Sequence, residues 1–343
     1  MPRHVLQLLL DRMPAGTPPD GPDGPTAQLE GRIAELLGTE TALFFPSGTM
    51  AQQIALRVHA ARRGRMSFAA HPQNHLVVWE EQGYTVVHGL AFHPVGDRNS
   101  LLTLADLSKL AVKVGAVLLE LPQRDIGGQL PPWDALVEQV AWAREHGAAV
   151  HMDGARLWEA QTFYQRPFAE IAGLFDTVYV SLYKALHGAR GAVLAGPRDI
   201  IAEAAVWRTR LGGSIPDAWP LAAIAMLGLE DLLPRMPIFR AHAIAIAAAI
   251  NADGTAHTVP EVPQTPMFHV HLPASKEAVE RAADAMIAER GIQLFSRARS
   301  SPDSHRCSFE VSISENAMEF TGQEVVQLIR ELLQGASDPS RST

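Results

Sequence analysis

Val178-Tyr179-Val180-Ser181-Leu182-Tyr183-Lys184-Ala185-Leu186-His187-Gly188-Ala189-Arg190-Gly191 decides how this chain is read. Its β-branched and aromatic first half predicts a strand. The small residues after Lys184 predict a turn that leads into a second apolar run at 192–195. Lysines are mostly exposed, so one delivered by a strand into a tight turn is uncommon; a surface lysine at a strand end is the alternative. Upstream, Ala148-Ala149-Val150 runs into His151-Met152-Asp153-Gly154-Ala155-Arg156, which puts an acid and an arginine at another strand end. Earlier still, Phe44-Phe45-Pro46-Ser47-Gly48-Thr49-Met50-Ala51 ends an apolar run in a Ser-Gly-Thr turn and opens a helix.

Each part has a bland role and a chemical one. Lys184 becomes nucleophilic where its environment lowers its pKa, and then forms a Schiff base with an aldehyde. Asp153 caps a helix, or holds a pyridine nitrogen protonated. Arg156 makes a surface ion pair, or grips a carboxylate in a bidentate contact. Ser47, Gly48 and Thr49 form an ordinary capped turn, or bind phosphate with backbone N–H groups at a helix start. His75 is structural, or stacks on a flat ring and serves as acid or base. Taken together, a Schiff-base lysine, a pyridine-facing acid and a phosphate-binding turn describe pyridoxal 5′-phosphate.

The rest of the chain is compatible with that chemistry. Its 343 residues allow one large α/β domain and a smaller one, and 47% apolar residues support a sizeable core. A formal charge of −8, with no run of lysines or arginines, gives no nucleic-acid-binding surface. The apolar stretch Val5 to Leu10 is too short to span a membrane. Cys307 is the sole cysteine, which rules out an internal disulfide and fits a cytoplasmic location. His269 and His271 alternate on one face of an expected strand, but no neighbouring acid or cysteine completes a ligand set, so no catalytic metal is expected.

Strands expected at 65–69, 85–89, 116–120, 148–152, 177–182 and 192–195 alternate with helices at 74–82, 104–113 and 133–146. That order predicts an α/β fold with a mainly parallel sheet covered on both faces, with ligands beyond the carboxyl ends of the strands. Leu29, Ile33, Leu36 and Leu37 predict an earlier helix, capped by Thr26 and closed by Gly38. The expected organisation is an N-terminal arm at 1–25, a large cofactor-binding domain at 26–215, a small α+β domain at 216–335 and a disordered tail at 336–343.

The motifs Leu29-Glu30-Gly31-Arg32-Ile33, Phe45-Pro46-Ser47-Gly48-Thr49-Met50-Ala51, His75 followed by Glu80 and Gly83, His151-Met152-Asp153-Gly154-Ala155-Arg156, Ser181-Leu182-Tyr183-Lys184 and Leu211-Gly212-Gly213 closely resemble the threonine aldolase group of fold type I pyridoxal-phosphate enzymes, the aromatic amino acid β-eliminating lyases. The resemblance spans about residues 26 to 229. It implies an internal aldimine at Lys184, ring stacking by His75, a pyridine contact at Asp153, carboxylate binding by Arg156 and phosphate binding by Gly48 and Thr49. It also implies a homodimer or homotetramer with sites at the subunit interface. The implied reaction cleaves a β-hydroxy-α-amino acid to glycine and an aldehyde, the ring storing charge as a quinonoid.

Substrate handling departs from the family pattern. The family's Ser- and Asp-rich N-terminal segment is absent, and Gln123 stands where the family has a histidine near the substrate hydroxyl. Gln123 and Arg124 are therefore the expected substrate contacts beside Arg156, with His75 as the remaining base candidate. The family's C-terminal arginine has no clear counterpart; Glu310 lies near its place, and Arg306 or Arg124 is the substitute. Two further functions fit the same motifs: β-elimination or β-replacement on a β-substituted amino acid, and cofactor binding without catalysis.

Overall fold

The computed structural model describes residues 2–337. Seven strands, β1 (Thr41–Phe45), β2 (Ser67–Ala70), β3 (Ala91–Pro94), β4 (Ala116–Glu120), β5 (Ala149–Gly154), β6 (Thr177–Ser181) and β7 (Ala192–Gly196), form one sheet in the order β1-β7-β6-β5-β4-β2-β3. β2 to β6 pair in parallel, and β7 runs antiparallel between β6 and β1. Every residue of β4 to β7 is buried, because helices cover both faces. Val117, Leu119, Val150, Met152, Val178 and Val180 pack on one side with Leu29 and Ile33 of the helix Pro25–Leu37. Ala116, Leu118, Ala149 and Tyr179 turn to the other side, where the helix Gly48–Arg62 contributes Ile54, Ala55, Leu56 and Val58. That helix is buried nearly all round and so carries no single apolar stripe in its sequence.

Several expected elements shift. Residues expected as a strand at 85–89 fall in and just after the short helix Gly83–Val86, and the strand follows at Ala91–Pro94. Val86 N–H donates to the Gln82 carbonyl at 3.0 Å and the Val86 side chain is 79% exposed, so its β-branched shape found no sheet to fill. The helix expected at 74–82 stops at Trp79, since Glu81 and Gln82 adopt φ values of 47° and 57°. The one expected at 104–113 is the single turn Leu104–Leu107. Gly24, rather than Thr26, caps the helix that Pro25 opens, and Gly38 closes it at φ 62°.

The division into two units falls at 235/236 and not at 215/216: residues 2–125 and 130–235 form one, and 126–129 with 236–337 the other. Ala222, Ala225 and Leu229 of the helix Trp219–Asp231 belong to the same core as Leu29 and Ile33, which keeps that helix with the first unit. The second unit carries an antiparallel sheet of β8 (His257–Val259), β9 (Met267–Leu272), β10 (Ala298–Ser300) and β11 (Cys307–Ser312), in the order β10-β11-β9-β8, with the helices Met236–Asp253, Lys276–Arg290 and Gly322–Ser337. Ala336 and Ser337 end that last helix, so the expected tail does not begin at 336; 338–343 lie outside the described residues. Among the described residues no helix is long and apolar enough to cross a membrane.

The segment after β6 is closed at its neck, where Leu182 N–H donates to the Gly191 carbonyl at 3.2 Å and Gly188 N–H to the Leu182 carbonyl at 2.9 Å. The helix Trp219–Asp231 presses on it through Gly228, where an added Cβ would stand 2.1 Å from the Leu186 carbonyl oxygen. Gly228→Ala is therefore expected to destabilise the chain by about 1–3 kcal/mol. Gly31→Ala, on an exposed helical face with nothing within 4 Å, is expected to stabilise it by about 0.5–1 kcal/mol. Urea unfolding of the two variants measures both.

Candidate active site

Register brings three polar residues into one row at the carboxyl ends of neighbouring strands, for Glu120 pairs with Asp153 and Asp153 with Tyr179. All three turn to the face covered by the helix Gly48–Arg62, because side chains alternate along a strand. Asp153 is 1% exposed, and one of its carboxylate oxygens accepts the Ala155 N–H at 3.0 Å.

Glu120 organises the wall beside it. Its Oε2 accepts from Asn74 Nδ2 at 3.1 Å, from His75 N–H at 3.0 Å and from Gln123 Nε2 at 3.0 Å, while Oε1 accepts Arg124 N–H at 3.0 Å. Burial and the neighbouring Asp153 push its carboxyl pKa upward, and the N–H donors oppose that push. The candidate site residues His75, Gln123 and Arg124 are thus all tied to one acid that the sequence reasoning did not single out. The available signal was an acid ending the buried run Ala116 to Leu119.

His75 begins the short helix His75–Trp79, which Asn74 caps by accepting Leu76 N–H at 3.1 Å. Burial, with Lys184 adding to it, lowers its pKa to about 4, so the ring is neutral near pH 7; its Nδ1 is buried without a hydrogen-bond partner. Both Gln123 Nε2 hydrogens are committed, one to Glu120 and one to the Gln73 carbonyl at 3.0 Å. Lys184 is half-buried, and its pKa is lowered by burial first and by the Arg156 guanidinium next, with Asp153 working against both. Arg156 does not form the surface pair of the bland alternative. It donates to Glu159 Oε1 at 2.7 Å, with the two side chains only 12% and 4% exposed.

At the start of the helix Gly48–Arg62, Ser47 Oγ accepts Met50 N–H at 3.2 Å and the Ser47 carbonyl accepts Ala51 N–H. Ser47 is the cap, and the N–H groups of Gly48 and Thr49 are the two left for a ligand. Gly48 must be glycine, since a Cβ there would lie 2.1 Å from the Tyr179 hydroxyl oxygen. Beneath Asp153, His59 Nε2 and His151 Nδ1 each lie 2.8 Å from Thr177 Oγ1, and both imidazoles are fully buried.

The beta-eliminating lyase family matches residues 9–274. The chain belongs to this family. A solved structure from Listeria monocytogenes, described as a candidate L-allo-threonine aldolase, is 36% identical, with a TM-score of 0.90 over 97% of this chain and 93% of that one. The low-specificity L-threonine aldolase of Saccharomyces cerevisiae is 29% identical over 62% of this chain and 56% of its own length. The chain spans less than two thirds of the first curated relatives it matches, 65% of one and 55% and 56% of the next two. A threonine aldolase from Leishmania major shares the fold, with a TM-score of 0.72 at 20% identity over 98% of this chain and 96% of that one. The α/β fold expected from the sequence, that of the fold type I pyridoxal-phosphate enzymes, is the fold of this family member.

The buried histidine pair predicts how the protein responds to acid. Burial lowers the pKa of both His59 and His151 to about 3, below the unfolded value, so their contribution is complete above about pH 6.5 and is lost as pH falls toward 3. Unfolding free energy, followed in urea from about pH 7 to 4, is expected to fall by up to about 1.4 kcal/mol per pH unit for each histidine. In His59→Gln the slope is shallower by one proton's worth.

Proposed function

We propose that this chain is a pyridoxal-phosphate-dependent carbon–carbon lyase of the threonine aldolase type, which releases glycine and an aldehyde from a β-hydroxy-α-amino acid. The observation that carries the reading is the common position, at one end of the sheet, of a lysine of lowered pKa, a buried aspartate with one carboxylate oxygen committed to Ala155, and a helix start with two open N–H groups. These residues fit the cofactor's aldehyde, pyridine nitrogen and phosphate in turn. Pyridoxal 5′-phosphate, when bound, supplies an aldehyde carbon and an electron-accepting pyridine ring.

The protein's own groups divide the remaining work. Lys184 would hold the cofactor covalently, and its lowered pKa favours the neutral, nucleophilic amine. Asp153 would hold the ring nitrogen and keep a proton on it. Ser47 shapes the turn from which Gly48 and Thr49 would grip phosphate. His75 would stack on the ring, and its neutral imidazole, whose Nδ1 has no hydrogen-bond partner, would take the β-hydroxyl proton. Gln123 cannot take it, since an amide is no base at neutral pH, and both its hydrogens are already engaged. Arg156, oriented by Glu159, and Arg124 supply the positive charge for the substrate carboxylate. A cytoplasmic homodimer or homotetramer completes the proposal, supported by the family likeness and by the single cysteine.

The test is direct. Purified protein given pyridoxal 5′-phosphate turns yellow, borohydride then fixes the cofactor at Lys184, and Lys184→Ala lowers turnover by about a thousandfold or more. A panel of β-hydroxy amino acids releases glycine. Keto acid and ammonia from β-substituted amino acids, with no glycine from any hydroxy acid, would instead establish β-elimination. Colour without any spectral response to amino acids would leave a cofactor-binding protein without catalysis.

A further inference from the structure

Glu80 has no part in the chemistry assigned to Lys184, Asp153 and His75, yet it is buried beside the helix start that faces the phosphate. It is 8% exposed and ends the helix His75–Trp79. Its Oε2 accepts from Gln53 Nε2 at 2.9 Å, while Oε1 is buried with no hydrogen-bond partner. The Thr49 hydroxyl is close enough to the carboxyl to work against the rise in its pKa. Gln53 and Thr49 both belong to the helix Gly48–Arg62, so the acid is docked on the first two turns of the element whose open N–H groups receive an anion.

An ionised carboxylate in this position works against that anion twice. It repels the incoming charge, and it draws the single hydrogen of the Thr49 hydroxyl toward itself. A protonated carboxyl reverses both effects: its O–H donates to Thr49 Oγ, and the Thr49 hydrogen is released toward the anion. We propose that a phosphate ester seated on the Gly48–Thr49 turn binds together with one proton, which resides on Glu80 and reaches the ligand as the orientation of the Thr49 hydroxyl. The proposal rests on the reading of that turn as the phosphate grip.

The surroundings of Glu80 suit a proton that comes and goes near neutrality. Burial pushes its pKa up to about 7 and Asp153 adds to the push, while Gln53, Thr49 and Lys184 work against it. Tyr179, also close enough to interact, keeps its phenol proton because burial drives its pKa well upward. A dianion arriving at the turn raises the Glu80 pKa further. Proton and anion therefore bind cooperatively, and anion affinity falls as pH rises above the pKa of the free site.

Two probes test this on cofactor-free full-length protein: sulfate, whose charge does not change near neutrality, and 4′-deoxypyridoxine 5′-phosphate, which lacks the aldehyde that Lys184 attacks. Sulfate affinity of the wild type is expected to fall by up to about tenfold per unit above about pH 7. Glu80→Gln keeps a donor to Thr49 without a titrating proton, and its profile is expected to be flatter by that factor. With the phosphorylated analogue, the ratio of wild-type to Glu80→Gln dissociation constants rises with pH by the same factor, since titration of the ligand cancels. Parallel profiles in the two proteins, or weaker binding by Glu80→Gln at every pH, overturn the proposal. Should Glu80→Gln fail to fold, the sulfate profile is read in Lys184→Ala, which removes the nearby amine, and a flat profile there overturns it equally. Absence of binding by either probe at any pH removes the phosphate grip itself, whereas binding without the pH difference removes only the proton on Glu80.

Discussion

The carboxylate of Glu120, at the end of a fully buried strand, gathers four N–H groups from chain segments some 46 positions apart in sequence, and the form of the site follows from that gathering. A buried acid this close to Asp153 is unfavourable on desolvation and repulsion alone. Donors on both oxygens offset that cost, and in accepting them Glu120 fixes the entry to the His75 helix, the amide plane of Gln123 and the backbone at Arg124. The arrangement is cooperative in both directions. Without the carboxylate, those donors would be buried and unmatched at about 1–3 kcal/mol each, and without the donors the carboxylate would not stay buried.

The sequence showed the parts of this site that are encoded locally. Lys184, Asp153 and Ser47 to Thr49 each sit where a buried strand breaks into a turn, and that junction has a composition signature a few residues long. Glu120 and Glu80 were harder to see because what distinguishes them is distant in sequence: Asn74 and His75 for the first, Gln53 for the second. The Arg156 side chain was legible as a cation at a strand end, but not its buried bond to Glu159, because an arginine and an acid three residues apart look the same on an exposed helix as on a buried one. The parallel sheet was legible from alternation. The short helix Gly83–Val86 was not, since Thr85-Val86-Val87 carries strand propensity and only the local bonds Val86 to Gln82 and Val87 to Gly83 decide against it.

Charge and hydrogen bonding distinguish the buried acids of this region. Glu120, Asp153, Glu80 and Glu159 face Lys184, Arg124 and Arg156, so the region is already near neutrality before a phosphate dianion arrives. A proton gained by one of these acids lessens the repulsion such a dianion would meet. Asp153 accepts the Ala155 N–H and, in the proposed role, would stay negative to hold a proton on the cofactor's ring nitrogen. Glu120 has four N–H donors aimed at it, which oppose its protonation while burial and Asp153 favour it. Glu80 accepts from Gln53 on one oxygen, has no partner on the other, and lies close to a hydroxyl that can reverse its direction at little cost. Glu80, with one oxygen unpartnered, is the acid on which a proton displaces no hydrogen-bond donor.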